Sequence, residues 1–279
     1  MSIEENGFLG EEIKKYEEKY KENNKELINL FIKINKLGNN LITKISNIKE
    51  NINTDEKLCL LLLYNRLLEL FQSAYILKVK GIEHTFIVLL RSIFEYFSMF
   101  CLIFDGKIAG KDFLEYYPAK QKLKFLNWLY NNTKSNNYEE LKEESEDELE
   151  GLKNFINKYS EKNINKTPQK IFNKIEGMLL EANNVDELTV KRIYSKFSFF
   201  SHPTKEALQE SFVQNDKISE LKYGPKYKEK DLFYLMLSFY LDAISILNTI
   251  YSLDFSERIK KLGSKLNDLA ETKDENEQL

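Results

Sequence analysis

The amino-acid sequence predicts an all-α fold, and three observations favour this class. The chain of 279 residues has only 10 Gly and 4 Pro, too few turn-forming residues for an architecture of many short strands. Hydrophobic residues make up 42% of the chain and charged residues 30%, which is typical of a folded domain. Apolar residues recur at steps of three and four over long stretches, the spacing of amphipathic helices. We therefore expect one domain over residues 1–263, a single bundle of about eight to ten helices.

The N-terminal part of the chain predicts three helices. Apolar residues at helical spacing predict the first over residues 11–50, with Gly38 as the point where it can break. Thr54 is a good N-cap for a second helix that ends at Gly81, because its hydroxyl can accept a hydrogen bond from the first turn. The third, over residues 83–104, is apolar nearly all round, so we expect it to lie at the centre of the bundle.

The rest of the chain predicts further helices and one charged segment. The helical pattern continues over residues 111–131. Residues 131–166 are rich in charge, and we expect them to form a solvated helical excursion. Residues 230–252 form a second apolar, aromatic-rich helix that should also pack centrally. The last residues, 264–279, are expected to be a frayed tail.

Charge and cysteine content limit the classes of partner and cofactor. The chain has 41 basic and 44 acidic residues, a net charge of −3, so we expect no binding of duplex DNA. Cys59 and Cys101 lie in apolar runs and are expected to be buried, reduced thiols. With only two His in the chain a zinc site is not expected, and no P-loop, dinucleotide or EF-hand motif is present. The sequence predicts neither a metal nor a cofactor.

The apolar stretches do not predict membrane helices. The acidic N-terminus lacks the layout of a signal peptide. Arg91 and Glu95 interrupt the most apolar stretch, residues 86–104, at its middle, where a charge in a membrane is unfavourable. We therefore expect a cytoplasmic protein without a membrane partner.

Arg91 and Glu95 are the first candidate site residues. They are four residues apart, so they lie on the same face of a helix that is otherwise apolar. Buried charges need partners, and the simplest interpretation is an ion pair within the helix. The same guanidinium could also bind a carboxylate or phosphate through two hydrogen bonds.

A second polar stripe comes later in the chain. Tyr194, Ser198 and His202 are spaced at i, i+4 and i+8, so they share one face of a predicted helix. That helix has to end near His202 because Pro203 disfavours a helical conformation in the residue before it. The helix dipole favours the protonated imidazolium at this end, which makes His202 a candidate acid or base.

These segments resemble a known family. The runs LLRSIFEYFSMFCLIF and YSKFSFFSH, with Trp128 between them, resemble the bacterial domain-of-unknown-function family DUF5677. Its members pair an Arg-x-x-x-Glu helix with a later Tyr-x-x-x-Ser-x-x-x-His helix, and the likeness covers about residues 60–250 of this chain. The resemblance implies that the five polar residues meet in one pocket between two helices: Arg91, Glu95, Tyr194, Ser198 and His202.

A more distant analogy concerns activity. A helical bundle with an Arg/His pocket is similar to the HEPN nucleases of toxin and phage-defence systems, which cleave RNA without a metal through an Arg-x(4–6)-His motif. This chain departs from that motif, because nine residues separate Arg192 from His202. The analogy would need Arg91 to replace the motif arginine.

Three functions stay open at this point. The first is a module that binds a small anionic ligand, RNA or another partner in a defence or toxin–antitoxin system. The second is a metal-independent ribonuclease. In it His202 would be the acid or base, Arg91 would stabilise the transition-state charge and Glu95 would orient Arg91. Tyr194 and Ser198 would hold the substrate or the imidazole tautomer. A homodimer would bring two such sites together. The third is a structural hydrogen-bond network.

Overall fold

The computed structural model describes residues 8, 10–48, 54–132, 139–162, 212–215, 218–221 and 230–276. In chain order its elements are α1 (Glu12–Asn23), α2 (Lys25–Asn47), α3 (Asp55–Val79), α4 (Glu83–Phe104), a π-helical turn (Asp112–Tyr116), α5 (Tyr117–Asn132), α6 (Glu139–Lys162), β1 (Phe212–Asn215), β2 (Ile218–Leu221), α7 (Lys230–Ile250) and α8 (Ser256–Asn276). The all-α class is confirmed. The antiparallel pair of four-residue strands is the part of this architecture that the sequence did not predict.

The core is built around α4, as the apolar pattern predicts. Phe86, Phe94 and Phe100 on this helix are fully buried. Helix α4 packs against α3, to which it is joined by a three-residue turn in which Gly81 has a φ of 70°. It also packs against α7, where the ring of Phe239 stacks on two α4 phenylalanines. Both predicted central helices are thus confirmed.

The first predicted helix is divided, but not at Gly38. The break between α1 and α2 lies at Asn24, whose φ of −121° and ψ of 30° leave the helical region. The Asn24 side chain donates a hydrogen bond to the carbonyl oxygen of Tyr20 at 2.9 Å. This local bond competes with helix continuation, which is why asparagine favours helix ends.

Gly38 lies inside α2, at a point where two tyrosines approach its backbone. A Cβ at this position would lie 2.7 Å from Tyr64 Oη and 2.8 Å from Tyr240 Oη. Tyr240 cannot move aside easily, since it stacks on Phe71 with ring centroids 4.3 Å apart and donates a hydrogen bond to Asn35 Oδ1 at 2.9 Å. Glycine is therefore required for α2 to pack this closely against α3 and α7.

We expect Gly38→Ala to destabilise the protein although alanine favours helix. The propensity gain is about 1 kcal/mol, but overpacking a core typically costs about 1–3 kcal/mol, so the clash outweighs the gain. Gly263→Ala in α8 is the matched control. Its Cβ would meet Leu241 Cδ2 at an ordinary 3.5 Å, so this change should stabilise the protein by about 0.5–1 kcal/mol. Urea unfolding followed by circular dichroism measures both, and equal stabilisation at the two positions would contradict the packing argument.

A buried ion pair closes the α3–α4 turn. Lys78 Nζ donates to both carboxylate oxygens of Glu83, at 2.7 and 3.0 Å. The two side chains are only 0% and 3% exposed, and the ammonium lies 5.1 Å from the ring centroid of Phe86. The sequence analysis missed this pair, because a Lys and a Glu five residues apart across a glycine turn read as ordinary surface charges. Each charge here depends on the other, since neither has water to replace its partner.

Removal of one partner should cost much more than removal of both. Lys78→Met leaves a buried carboxylate, and we expect it to lower the free energy of unfolding by about 3–5 kcal/mol. The double variant Lys78→Met/Glu83→Leu replaces both charges with apolar groups and should recover most of that loss. A double-mutant cycle in urea measures the coupling, and additive effects of the two changes would show that the pair is not an energetic unit.

Helices α5 and α6 pack together beside the π-helical turn. Leu126 and Leu149 are buried, and Lys122 forms an ion pair with Glu148. The charged segment predicted over residues 131–166 therefore contributes α6, which pairs with the preceding helix, α5.

The C-terminal helix extends further than expected. We predicted a frayed tail from residue 264, whereas α8 continues to Asn276. Leu266 is buried and Leu262 and Leu269 pack against the core, so apolar side chains at helical spacing hold this segment in place.

Three smaller predictions are confirmed. Thr54 caps α3 by accepting a hydrogen bond from the backbone N–H of Lys57 at 3.2 Å. Cys59 and Cys101 are free and buried, and burial raises the pKa of each thiol to about 12.

Within the part of the chain that the structure describes, two helices are long and apolar enough to cross a membrane. They are Glu83–Phe104 and Asp231–Ile250, whose most apolar windows are 67% and 50% buried within the protein. Core helices of soluble proteins have the same properties, so a soluble protein is compatible with this finding. The cytoplasmic location stays a prediction.

Candidate functional site

The charged pair on α4 lies on the open side of the central helix. The side chains of Arg91 and Glu95 are 22% and 31% exposed, so the expectation that this helix is buried all round is wrong on this face. Phe94 and Phe97, which flank the pair on the same helix, stack on Phe239 of α7 with centroids 5.4 and 4.8 Å apart and fix the orientation of α4. Core packing therefore places the two charges toward the surface.

Arg91 and Glu95 are in direct contact, as their spacing predicts. Arg91 Nε donates a hydrogen bond to Glu95 Oε1 at 2.9 Å. A carboxylate bound at Nε holds the flat guanidinium in one orientation, and a guanidinium has five N–H donors in a fixed plane. Such a group can recognise the two oxygens of a carboxylate or phosphate.

The other predicted site residues lie outside the described part of the chain. These are Tyr194, Ser198 and His202, together with Arg192 of the nuclease analogy. The structure thus brings together the first half of the predicted signature, Arg91 and Glu95. The pocket between two helices stays a prediction.

Ser98 extends the polar face of α4, and the sequence analysis did not select it. It follows Arg91 by seven residues and Glu95 by three, which places all three on one side of the helix. Ser98 is fully buried, and its hydroxyl donates a hydrogen bond to the carbonyl oxygen of Phe94 at 2.8 Å. Its signal in the sequence is the same spacing rule that identified the Arg–Glu pair.

Asp242 is a second polar residue that the sequence analysis passed over. It interrupts the apolar helix α7 as Arg91 interrupts α4. Partial desolvation raises the pKa of this carboxyl although the residue is exposed, while a hydrogen bond with Ser238 acts in the opposite direction. The negative charge of Asp242 also helps to raise the pKa of Cys101, which places the carboxylate near the C-terminal half of α4.

The described residues offer no arrangement for a metal. Within the ranges that the structure describes, no group of three or more His, Cys, Asp or Glu side chains could hold an ion.

Comparison with known proteins places these residues in a family. The model of a family of unknown function, DUF5677, matches residues 57–220, which is more than half of the chain. The match includes α3 to α6 and both polar stripes of the sequence. No curated protein and no solved structure matches the chain. The chain belongs to the DUF5677 family.

Proposed function

We propose that this protein binds an anionic group, a phosphate or a carboxylate, at Arg91. The observation that carries the proposal is the partly exposed Arg91–Glu95 pair on the most apolar helix of the core. A rigid, buried helix is a better support for a binding group than a loop, because its side chains are held in one geometry by packing.

The fact that the charged residue is an arginine supports an anionic ligand. Arginine stays charged at all relevant pH values, and its planar fork matches two oxygens at once. Glu95 occupies the Nε edge of this fork, which orients the guanidinium without a change in the fold. We propose that Tyr194, Ser198 and His202 complete the pocket, with the ligand between the two polar stripes.

The partial exposure of the pair supports binding over a purely structural network. A fully enclosed ion pair, such as Lys78 with Glu83, satisfies its own charges and has no contact with solvent. Arg91 and Glu95 keep about a quarter of their surface accessible, which an incoming anion requires. A place in a cytoplasmic defence or toxin–antitoxin module is part of this proposal.

We expect Arg91 to determine the affinity for phosphate. Arg91→Lys keeps the charge but loses the planar fork, and we expect about 10- to 150-fold weaker binding, the range of one charge-assisted hydrogen bond. Isothermal titration calorimetry with inorganic phosphate and with a nucleoside monophosphate measures this effect. Glu95→Gln should weaken binding less, since the amide oxygen can still accept from Nε.

Arg66→Lys is the matched control. Arg66 forms a similar pair with Glu69 at 2.7 Å, but on α3 and with both side chains more than half exposed. This variant should bind as the wild type does. Absence of binding of both phosphate and a carboxylate to the folded wild type would refute the proposal. Metal-free cleavage of RNA that is lost in His202→Ala would favour the nuclease instead.

A further inference from the structure

The outer face of α5 exposes the only tryptophan of the chain. Trp128 is 60% exposed and Phe125 is 59% exposed. The two rings are nearly parallel, with 25° between their planes and 6.4 Å between their centroids. Large aromatic side chains are normally well buried, and exposed ones in a cluster indicate a contact surface.

The aromatic pair has lysine and glutamine neighbours. Gln121, Lys124, Phe125 and Trp128 are spaced at three and four residues, so they form one compact group that we call the α5 patch. Gln121 and Lys124 are exposed like the two rings. The patch therefore combines two flat apolar surfaces with a cation and an amide.

The whole of α5 is positively charged. It contains Lys120, Lys122 and Lys124 and no acidic residue. Lys122 is paired with Glu148 of α6, on the side where Leu126 is buried. Burial and the charge of Lys124 both lower the pKa of Lys120, so these two cations lie close together. Glu148 of α6 thus engages Lys122 on the inner side of α5, and no ion pair within the described residues involves Lys124.

We propose that the α5 patch binds single-stranded nucleic acid, with bases stacked on Phe125 and Trp128 and phosphates contacted by Lys124. Stacking of bases on aromatic rings beside positive side chains is the general mode of single-strand binding. A duplex fits poorly, because its bases are already stacked at about 3.4 Å and present no free faces to rings 6.4 Å apart. This proposal is independent of the anion site at Arg91.

The test uses Trp128 as the reporter, since no second tryptophan obscures its signal. We expect an oligouridylate of about 12 nucleotides, within the site sizes of single-strand-binding surfaces, to quench the fluorescence of Trp128 in a saturable way. The logarithm of the affinity should fall with the logarithm of the salt concentration, by about 0.7 for each phosphate contact. A hairpin duplex of the same length should bind more weakly.

Variants test whether the oligonucleotide that quenches the fluorescence binds at the α5 patch. Phe125→Ala removes one stacking surface and should weaken binding by about 5- to 150-fold. Lys124→Gln should reduce the salt slope by about 0.7. Tyr16→Ala is the matched control, because Tyr16 is also an exposed aromatic, 45% accessible, but lies on α1. It should bind as the wild type does.

Two results would overturn the proposal. One is an oligonucleotide that leaves the fluorescence of the folded protein unchanged, or that binds Phe125→Ala as tightly as the wild type. The other is a shift of the Trp128 spectrum with protein concentration alone, which would assign the patch to contact between two copies of the chain.

Discussion

Helix α4 carries so many apolar side chains that it folds only when other helices surround it, and the rest of the structure follows from that need. Helix α3 covers one side through the turn at Gly81, and α7 covers another through the rings stacked on Phe239. The remaining side is the one place where this helix can hold charges at low cost. Arg91 and Glu95 lie there, at the boundary between core and solvent.

The same packing explains the features that look irregular in the sequence. Gly38 lies inside α2 and does not break the helix. The residue is a glycine because the absence of a side chain makes room for Tyr64 and Tyr240 where α2 meets the core. Lys78 and Glu83 can be buried because they neutralise each other at the end of the α3–α4 hairpin. In both cases a polar or small residue is fixed by a contact from another part of the chain.

Sequence patterns could predict the features that depend on local spacing. The two apolar runs identified α4 and α7, Thr54 identified the start of α3, and the i, i+4 rule placed Arg91 beside Glu95. Contacts between distant segments could not be predicted in this way. The buried Lys78 and the exposure of Trp128 depend on which helix covers which face, and periodicity alone does not give that information.

The two proposed binding surfaces, Arg91 on α4 and the α5 patch, lie on helices that are packed to different extents. Arg91 is held by the core and suits the recognition of one small charged group, whereas the α5 patch lies on a helix that pairs mainly with α6 and suits a flexible chain. A helix with few buried contacts can open at a lower free energy than the core does. Binding at the α5 patch is therefore compatible with local motion, while binding at Arg91 depends on a rigid support.

The central claim is that the Arg91–Glu95 pair is a surface site and not a structural core pair, and the free energy of unfolding of Arg91→Ala tests it most directly. A partly exposed pair contributes about 0–1 kcal/mol, so the variant should unfold in urea close to the wild type. A loss of about 3–5 kcal/mol is the cost of breaking a buried pair. That result would contradict the account and would make the polar face of α4 part of the protein's internal framework.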